Sequence, residues 1–123
     1  MYFGKKEKLL ALITISASLS ACAYLKKDVV KAPCVIGTTV SYNTDVAPII
    51  QANCFQCHSS ASNISGILLE THAELKAYAQ NGFLYGTINH ASGFSEMPQG
   101  AAKLDDCTIA TIKQWIDDGA PNN

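Results

Sequence analysis

The chain has 123 residues, of which 48% are apolar, and it carries nine lysines against ten carboxylates with no arginine. A chain of this length has room for one small domain, so we expect a single-domain protein. The lack of arginine removes the planar guanidinium that commonly binds phosphate, and the slightly negative charge makes nucleic acid an unfavourable partner.

The first 21 residues have the pattern of an export signal. Three lysines between residues 5 and 8 precede an apolar stretch, Leu9 to Leu19, that is too short to cross a bilayer. The following Leu19-Ser20-Ala21-Cys22 fits the cleavage box of bacterial lipoproteins. We therefore expect residues 1–21 to be a signal peptide and Cys22 to carry the lipid that anchors the mature chain to a bacterial membrane, facing the periplasm or the cell exterior. An uncleaved amino-terminal helix is the alternative.

The mature chain, residues 22–123, would have six lysines and nine carboxylates, and hence a net charge of −3 with histidine neutral. Residues 22–39 have no helical periodicity and contain Pro33 and Gly37, so they are predicted to be a tether between lipid and domain. The domain itself is expected over residues 40–123.

The predicted elements of the domain begin with a helix from Thr44 or Asp45, where a capping side chain is followed by Pro48 in the first turn. This helix should run into Cys54-Phe55-Gln56-Cys57-His58. A capping box at Thr71 to Glu74 predicts a second helix that stops at Asn81-Gly82.

A short helical turn is predicted over Phe83 to Ile88, and residues 89–103 form an irregular loop that contains Met97-Pro98. The last helix is capped by Asp105 or Asp106 and ends before Gly119. Its apolar residues fall in one arc of the helical wheel: Ile109, Ile112, Trp115 and Ile116. With four helical segments and no alternating strand, the sequence predicts an all-α domain.

The Cys54-x-x-Cys57-His58 run is the attachment signature of c-type haem. Two thiols three positions apart reach the two vinyl groups, and the adjacent histidine is placed beneath the iron. A zinc site, a thioredoxin-like redox pair and a plain disulfide are the alternatives. A zinc site would need a second matched pair of ligands, and a thioredoxin-like pair belongs at a helix start after a strand.

Cys34 and Cys107 remain once Cys22, Cys54 and Cys57 have been assigned. In an oxidising compartment the simplest resolution is a disulfide between them. It would close a loop of about seventy residues, which the chain-entropy estimate values at roughly 4 kcal/mol. Two buried, unpaired thiols are the alternative.

Four parts of the chain resemble one protein family. They are Asp45-Val46-Ala47-Pro48-Ile49, the Cys54 to His58 motif, Met97-Pro98, and Leu104 together with the apolar arc of the last helix and Gly119-Ala120. The family is the class I c-type cytochromes, especially the short monohaem domains of exported bacterial lipoproteins, and the resemblance covers about residues 42–121. It implies a small cytochrome c-like fold of helices wrapped around one covalent haem c, with the first and last helices crossing.

The resemblance also implies axial iron ligation by His58 below and Met97 above. Met97 is the only methionine after the initiator, and it lies in a loop before a proline. His90 in the same loop is the rival for the sixth position, whereas His72 is expected at the surface of the second helix. The chain departs from the family in lacking an arginine for the haem propionates, in the short stretch between His58 and Met97, and in the added Cys34 and Cys107.

A haem iron with both axial positions filled has no open site for substrate, so the expected function is electron transfer rather than catalysis. The partners would be a donor and an acceptor redox protein, exported or membrane-bound. Two alternatives stay open. One is an open-site haem protein, either a peroxidase-like enzyme or a gas sensor, and the other is an accessory haem subunit of a larger complex.

Overall fold

Short helices make up the fold, and three of the five helical segments that the structure describes start with a side-chain cap. The computed structural model describes Cys34 and residues 36–123, and every regular element in that part of the chain is helical. The elements are a π-helical turn (Tyr42–Val46), α1 (Ala47–His58), α2 (His72–Gln80), α3 (Phe83–Ile88) and α4 (Asp106–Asp117). The prediction of an all-α domain is confirmed. The predicted signal peptide, Cys22 and most of the predicted tether lie outside the described residues.

The first helical segment begins earlier than predicted, because Ser41 caps it. The Ser41 hydroxyl accepts a hydrogen bond from the Thr44 N–H at 3.4 Å, and the Asp45 carboxylate accepts one from the Ser41 N–H at 2.8 Å. This reciprocal pair satisfies two amides at the start of the π-helical turn. The prediction that Thr44 or Asp45 is the cap was therefore wrong, although Pro48 does lie in the first turn of α1.

The second helix follows the predicted capping box. The Thr71 hydroxyl accepts from the Glu74 N–H at 3.3 Å, and the Glu74 carboxylate accepts from the Thr71 N–H at 2.8 Å. The helix ends at Gln80, and Gly82 adopts a φ of +82°, a conformation that favours glycine. The short helix α3 then starts immediately at Phe83, with the bounds that the sequence predicted.

The last helix is capped by Asp105, whose carboxylate accepts from the Cys107 and Thr108 N–H groups. Ile109, Ile112 and Trp115 are buried, as the apolar arc predicts. Two carboxylates lie at its carboxyl end, where the helix dipole disfavours negative charge. Each of them is bonded to a side chain one turn earlier in the helix. Lys113 forms an ion pair with Asp117, and the Gln114 side chain donates to Asp118 at 3.0 Å.

Three aromatic rings pack together where the π-helical turn, α2 and α4 meet. Tyr42 stacks on Trp115 with ring centroids 5.8 Å apart, and His72 meets the Tyr42 ring edge-on at 4.7 Å. His72 is half-buried, and its Nε2 donates to the Ala120 carbonyl oxygen at 3.0 Å. The expectation that His72 lies at the surface was therefore wrong, because the segment after α4 folds back over it.

Helix packing brings the beginning and the end of the described chain together. α4 packs against the π-helical turn and against α3, and α2 packs against α3. Cys34 and Cys107 form a disulfide with their Cα atoms 5.3 Å apart, so this part of the expected tether is held at the first turn of α4. Within the described residues, no helix is both long and apolar enough to span a membrane.

Candidate functional site

A cleft between α1, α2, α3 and the loop before α4 collects the residues singled out in the sequence. It encloses a volume of about 100 Å³ and is open to solvent. Its lining is almost entirely apolar. The lining side chains are those of Cys54, His58, Ile67, Leu69, Tyr78, Phe83, Leu84, Thr87, Ile88 and Met97.

Three of the sequence-predicted site residues line this cleft together. Cys54 and His58 come from the last turn and a half of α1, and Met97 comes from the loop after α3. Cys57 does not line it. Its side chain is exposed, one helical turn from Cys54, where residues three positions apart are neighbours on a helix. The two cysteines are free thiols and are not bonded to each other.

The His58 ring is oriented by the loop that follows α1. Its Nδ1 lies 3.2 Å from the Ile67 carbonyl oxygen and 2.9 Å from the Ser65 hydroxyl. A carbonyl oxygen can only accept, so when Nδ1 bonds to Ile67 it carries the proton and the lone pair is on Nε2. An imidazole that donates from one nitrogen in this way is held ready to bind a metal through the other.

The loop itself is tied back to the end of α1. The Leu69 N–H donates to the His58 carbonyl oxygen at 3.0 Å, and the Ile64 N–H donates to the Cys57 carbonyl oxygen at 3.1 Å. The Ile67 N–H donates to the Ser65 hydroxyl at 3.3 Å, which fixes the serine beside the ring. These bonds make the histidine side of the cleft a single local unit.

Burial raises the pKa of the Cys54 thiol to about 11. The thiol is therefore protonated at neutral pH. A redox-active or zinc-binding cysteine works as a thiolate and normally has a lowered pKa. The environment of Cys54 thus differs from that of a redox-active cysteine.

Met97 reaches the cleft from an irregular loop, as the sequence predicted. Its main-chain N–H donates to the Thr87 carbonyl oxygen of α3 at 3.1 Å. The side chain is half-buried and lines the cleft that Cys54 and His58 also line. A thioether is a soft ligand, and methionine opposite histidine is the ligand pair of electron-transfer cytochromes c.

His90, the rival sixth ligand, does not line the cleft. Its Nε2 lies 3.0 Å from the Met97 carbonyl oxygen, so this nitrogen is protonated and donates there. Its Nδ1 lies 3.8 Å from the Glu96 carboxylate. Both nitrogens of the ring therefore contact loop residues, and of the two candidates only Met97 lines the cleft.

Several contributors to the site have no signal in the sequence. Ser65, Ile67 and Thr87 act through a hydroxyl or a main-chain carbonyl, which any loop residue could place there. Gly86 is a further case: a Cβ at this position would lie 2.6 Å from the Phe94 ring. The glycine therefore lets Phe94, three residues before Met97, pack against α3.

The donor set fits a haem rather than a metal ion bound by protein alone. Among the described residues, no group of three or more histidine, cysteine or acidic side chains is placed to hold a metal ion. The cleft instead offers one imidazole, one thioether and a half-buried thiol around an apolar space, which are groups that a c-type haem uses. The chain matches no known family model, curated protein or solved structure.

Proposed function

We propose that this protein is a monohaem c-type cytochrome that carries single electrons between exported or membrane-bound redox proteins. The observation that carries the proposal is the convergence of Cys54, His58 and Met97 on one apolar cleft. Cys54 and Cys57 would bind haem c through thioether bonds. His58 and Met97 would be the axial ligands of its iron, so that the helices wrap around the haem in a small cytochrome c-like fold.

Two features of the chain support electron transfer over catalysis. The His58 tautomer leaves Nε2 available on one side, and the Met97 side chain lines the cleft from a loop on the other side. When bound, the haem supplies a one-electron couple. His58 and Met97 would hold its iron and the apolar lining would keep water away, which would leave no vacant position for a substrate.

The position of the cleft supports exchange of electrons with a partner protein. Phe83 lines the cleft and is 55% exposed. A haem bound there would have an edge close to the surface. The described residues carry three lysines and eight carboxylates, so a basic face is favoured on the donor or the acceptor.

Export and lipid anchoring are part of the proposal. Haem attachment to a Cys-x-x-Cys-His motif takes place outside the bacterial cytoplasm, and a lipid on Cys22 would keep the carrier beside membrane-bound partners. Metabolic labelling with a fatty acid tests this, with Cys22→Ala as the variant that should lose the label. If Cys22→Ala keeps the label, another residue carries the fatty acid, and lipid anchoring through Cys22 must be dropped from the proposal.

A haem-stained denaturing gel and a visible spectrum of the purified protein test the central claim. Haem should stay with the polypeptide after denaturation, and Cys54→Ala with Cys57→Ala should abolish the stain. Cys34→Ala with Cys107→Ala is the matched control, since it also removes two cysteines and should keep the stain. Haem extracted from the wild type into acidified organic solvent would refute covalent attachment. A high-spin wild-type spectrum would favour the open-site alternative.

A further inference from the structure

Two hydrogen bonds, one to Thr87 and one from His90, hold the main chain of Met97. Its N–H donates to the Thr87 carbonyl oxygen at 3.1 Å, and its carbonyl oxygen accepts from His90 Nε2 at 3.0 Å. The next residue, Pro98, has no N–H and so cannot donate a main-chain hydrogen bond that would help to hold this part of the loop. The only side chain that binds the Met97 main chain in the described structure is therefore that of His90.

His90 is itself fixed in an uncommon backbone conformation. Its φ is +53°, a left-handed value that costs a non-glycine residue about 1 kcal/mol. Its N–H donates to the Thr87 carbonyl oxygen at 3.2 Å, and the following Ala91 N–H donates to the Gly86 carbonyl oxygen at 2.9 Å. These bonds to the end of α3 hold the backbone in that conformation, from which the ring reaches the carbonyl of Met97 seven residues later.

We infer that His90 is a positioning residue that holds Met97 at the iron by donating from Nε2 to the Met97 carbonyl oxygen. The inference rests on the proposed function, in which Met97 is the axial ligand. It assigns to the rival histidine a supporting role instead of ligation. Thr87 anchors the N–H of Met97 and His90 anchors its carbonyl, so the thioether is presented from a main chain fixed on both sides.

The physical reason is the weakness of a thioether as a ligand for ferric iron. A soft sulfur donor favours ferrous iron, so in the ferric state other ligands compete well for its position. The competition depends on how far the loop holds the sulfur in place. Removing a hydrogen bond to a half-buried carbonyl commonly costs enough to change such an equilibrium about tenfold.

The test uses the mature holoprotein in the ferric state at one pH, with imidazole as the competing ligand. Wild type, His90→Ala and His90→Gln are titrated while the far-red methionine-to-iron band is followed. His90→Ala should bind imidazole about tenfold more tightly than wild type, because the sulfur is more easily displaced. His90→Gln keeps an amide donor and carries the same cost at positive φ as alanine, so it should return most of the way to wild type.

His72→Ala is the matched control. His72 also donates from Nε2 to a main-chain carbonyl, that of Ala120, but it lies away from the cleft. This variant should unfold at lower temperature with unchanged affinity for imidazole. Amide hydrogen exchange of Met97, measured by NMR on the same proteins, should quicken in His90→Ala alone.

Two failures are distinguishable. A wild type without the far-red band means that Met97 is not the ligand, so the proposed ligation fails and the inference with it. A wild type that has the band while His90→Ala binds imidazole as wild type does overturns the inference and leaves the proposed function standing. A His90→Gln variant that binds imidazole as tightly as His90→Ala does would also overturn the inference, since the hydrogen-bond donor would then make no difference.

Discussion

The two sides of the cleft hold their candidate ligands in different ways. His58 is the last residue of α1, and its ring donates to a carbonyl only nine residues further along the chain. Met97 lies in a loop with no regular structure, and its main chain is bonded to Thr87 and His90 at the end of α3. The histidine side is thus a local unit, whereas the methionine side depends on how the loop packs on a neighbouring helix.

This difference teaches where the site should be sensitive to change. Local units form with little loss of chain entropy, so the histidine side should survive perturbations elsewhere in the domain. A loop held by a few bonds opens with a lower free energy than the core does. We therefore expect the methionine side to respond first to temperature, to competing ligands and to substitutions.

The largest expected effect comes from removing the two cysteines that would attach the haem, on which both sides of the cleft depend. Cys54→Ala with Cys57→Ala should lose haem and give a largely unfolded chain, because the apolar cleft would be left without the cofactor proposed to fill it. Circular dichroism during heating measures this. A cooperative thermal transition in the double variant would show that the helices form the same core without the cofactor.

Removing the Cys34–Cys107 disulfide should lower global stability while leaving both ligands in place. The residues are 73 positions apart, and the chain-entropy estimate for such a closure is roughly 4 kcal/mol. Urea unfolding of Cys34→Ser with Cys107→Ser measures the loss, and mass spectrometry of an unreduced wild-type digest should find the two peptides joined. If this variant loses the far-red band at low temperature, the disulfide also holds the methionine side in place, contrary to our expectation that both ligands stay where they are.

Met97→Ala breaks the methionine side alone. The iron should open to water or added small ligands, the far-red band should vanish, and the reduction potential should fall by on the order of 0.1 V. Met97→His is the matched control: imidazole keeps six ligands but supports ferric iron better, so its potential should also fall without the spectrum turning high-spin. If Met97→Ala keeps the wild-type spectrum, the sulfur is not the ligand.

Gly86→Ala tests whether loop packing presents the methionine. Alanine in a helix is normally more favourable than glycine by about 1 kcal/mol, but here the new Cβ would lie 2.6 Å from the Phe94 ring. The displaced ring should destabilise the loop by about 1–3 kcal/mol, so the far-red band should disappear at lower temperature. Adding Phe94→Ala removes the clash and should restore part of the lost loop stability. If the two substitutions instead destabilise the loop additively, the new Cβ does not clash with the Phe94 ring.

Ser65→Ala is the smallest perturbation and falls on the histidine side. It removes one of the two groups that His58 Nδ1 contacts, and the Ile67 carbonyl remains. The imidazole should become a slightly weaker donor to ferric iron, which raises the reduction potential by roughly 0.02 V, or about 0.5 kcal/mol. Ser62→Ala is the control, since its hydroxyl contacts Phe55 and Ser59 instead. A fall in potential would reverse the assigned role.

Local chemistry in the sequence determined most of the helix boundaries. The capping box from Thr71 to Glu74, the cap at Asp105 and the stop at Gly119 depend on residues within four positions of each other, so they can be read without knowing the fold. The Cys54 to His58 motif is local for the same reason. The cap at Ser41 was missed because the segment starts as a π-helical turn, which has no distinctive pattern.

Only the tertiary structure decided which residues meet across the cleft. The sequence could not show that Met97 lines the cleft and His90 does not, because this depends on where the His90 ring reaches after its backbone takes a positive φ. His72 was misjudged because the segment that buries it lies 48 residues away. Long-range contacts of this kind depend on how helices pack, and packing is fixed by the shapes of many side chains at once rather than by any short run of residues.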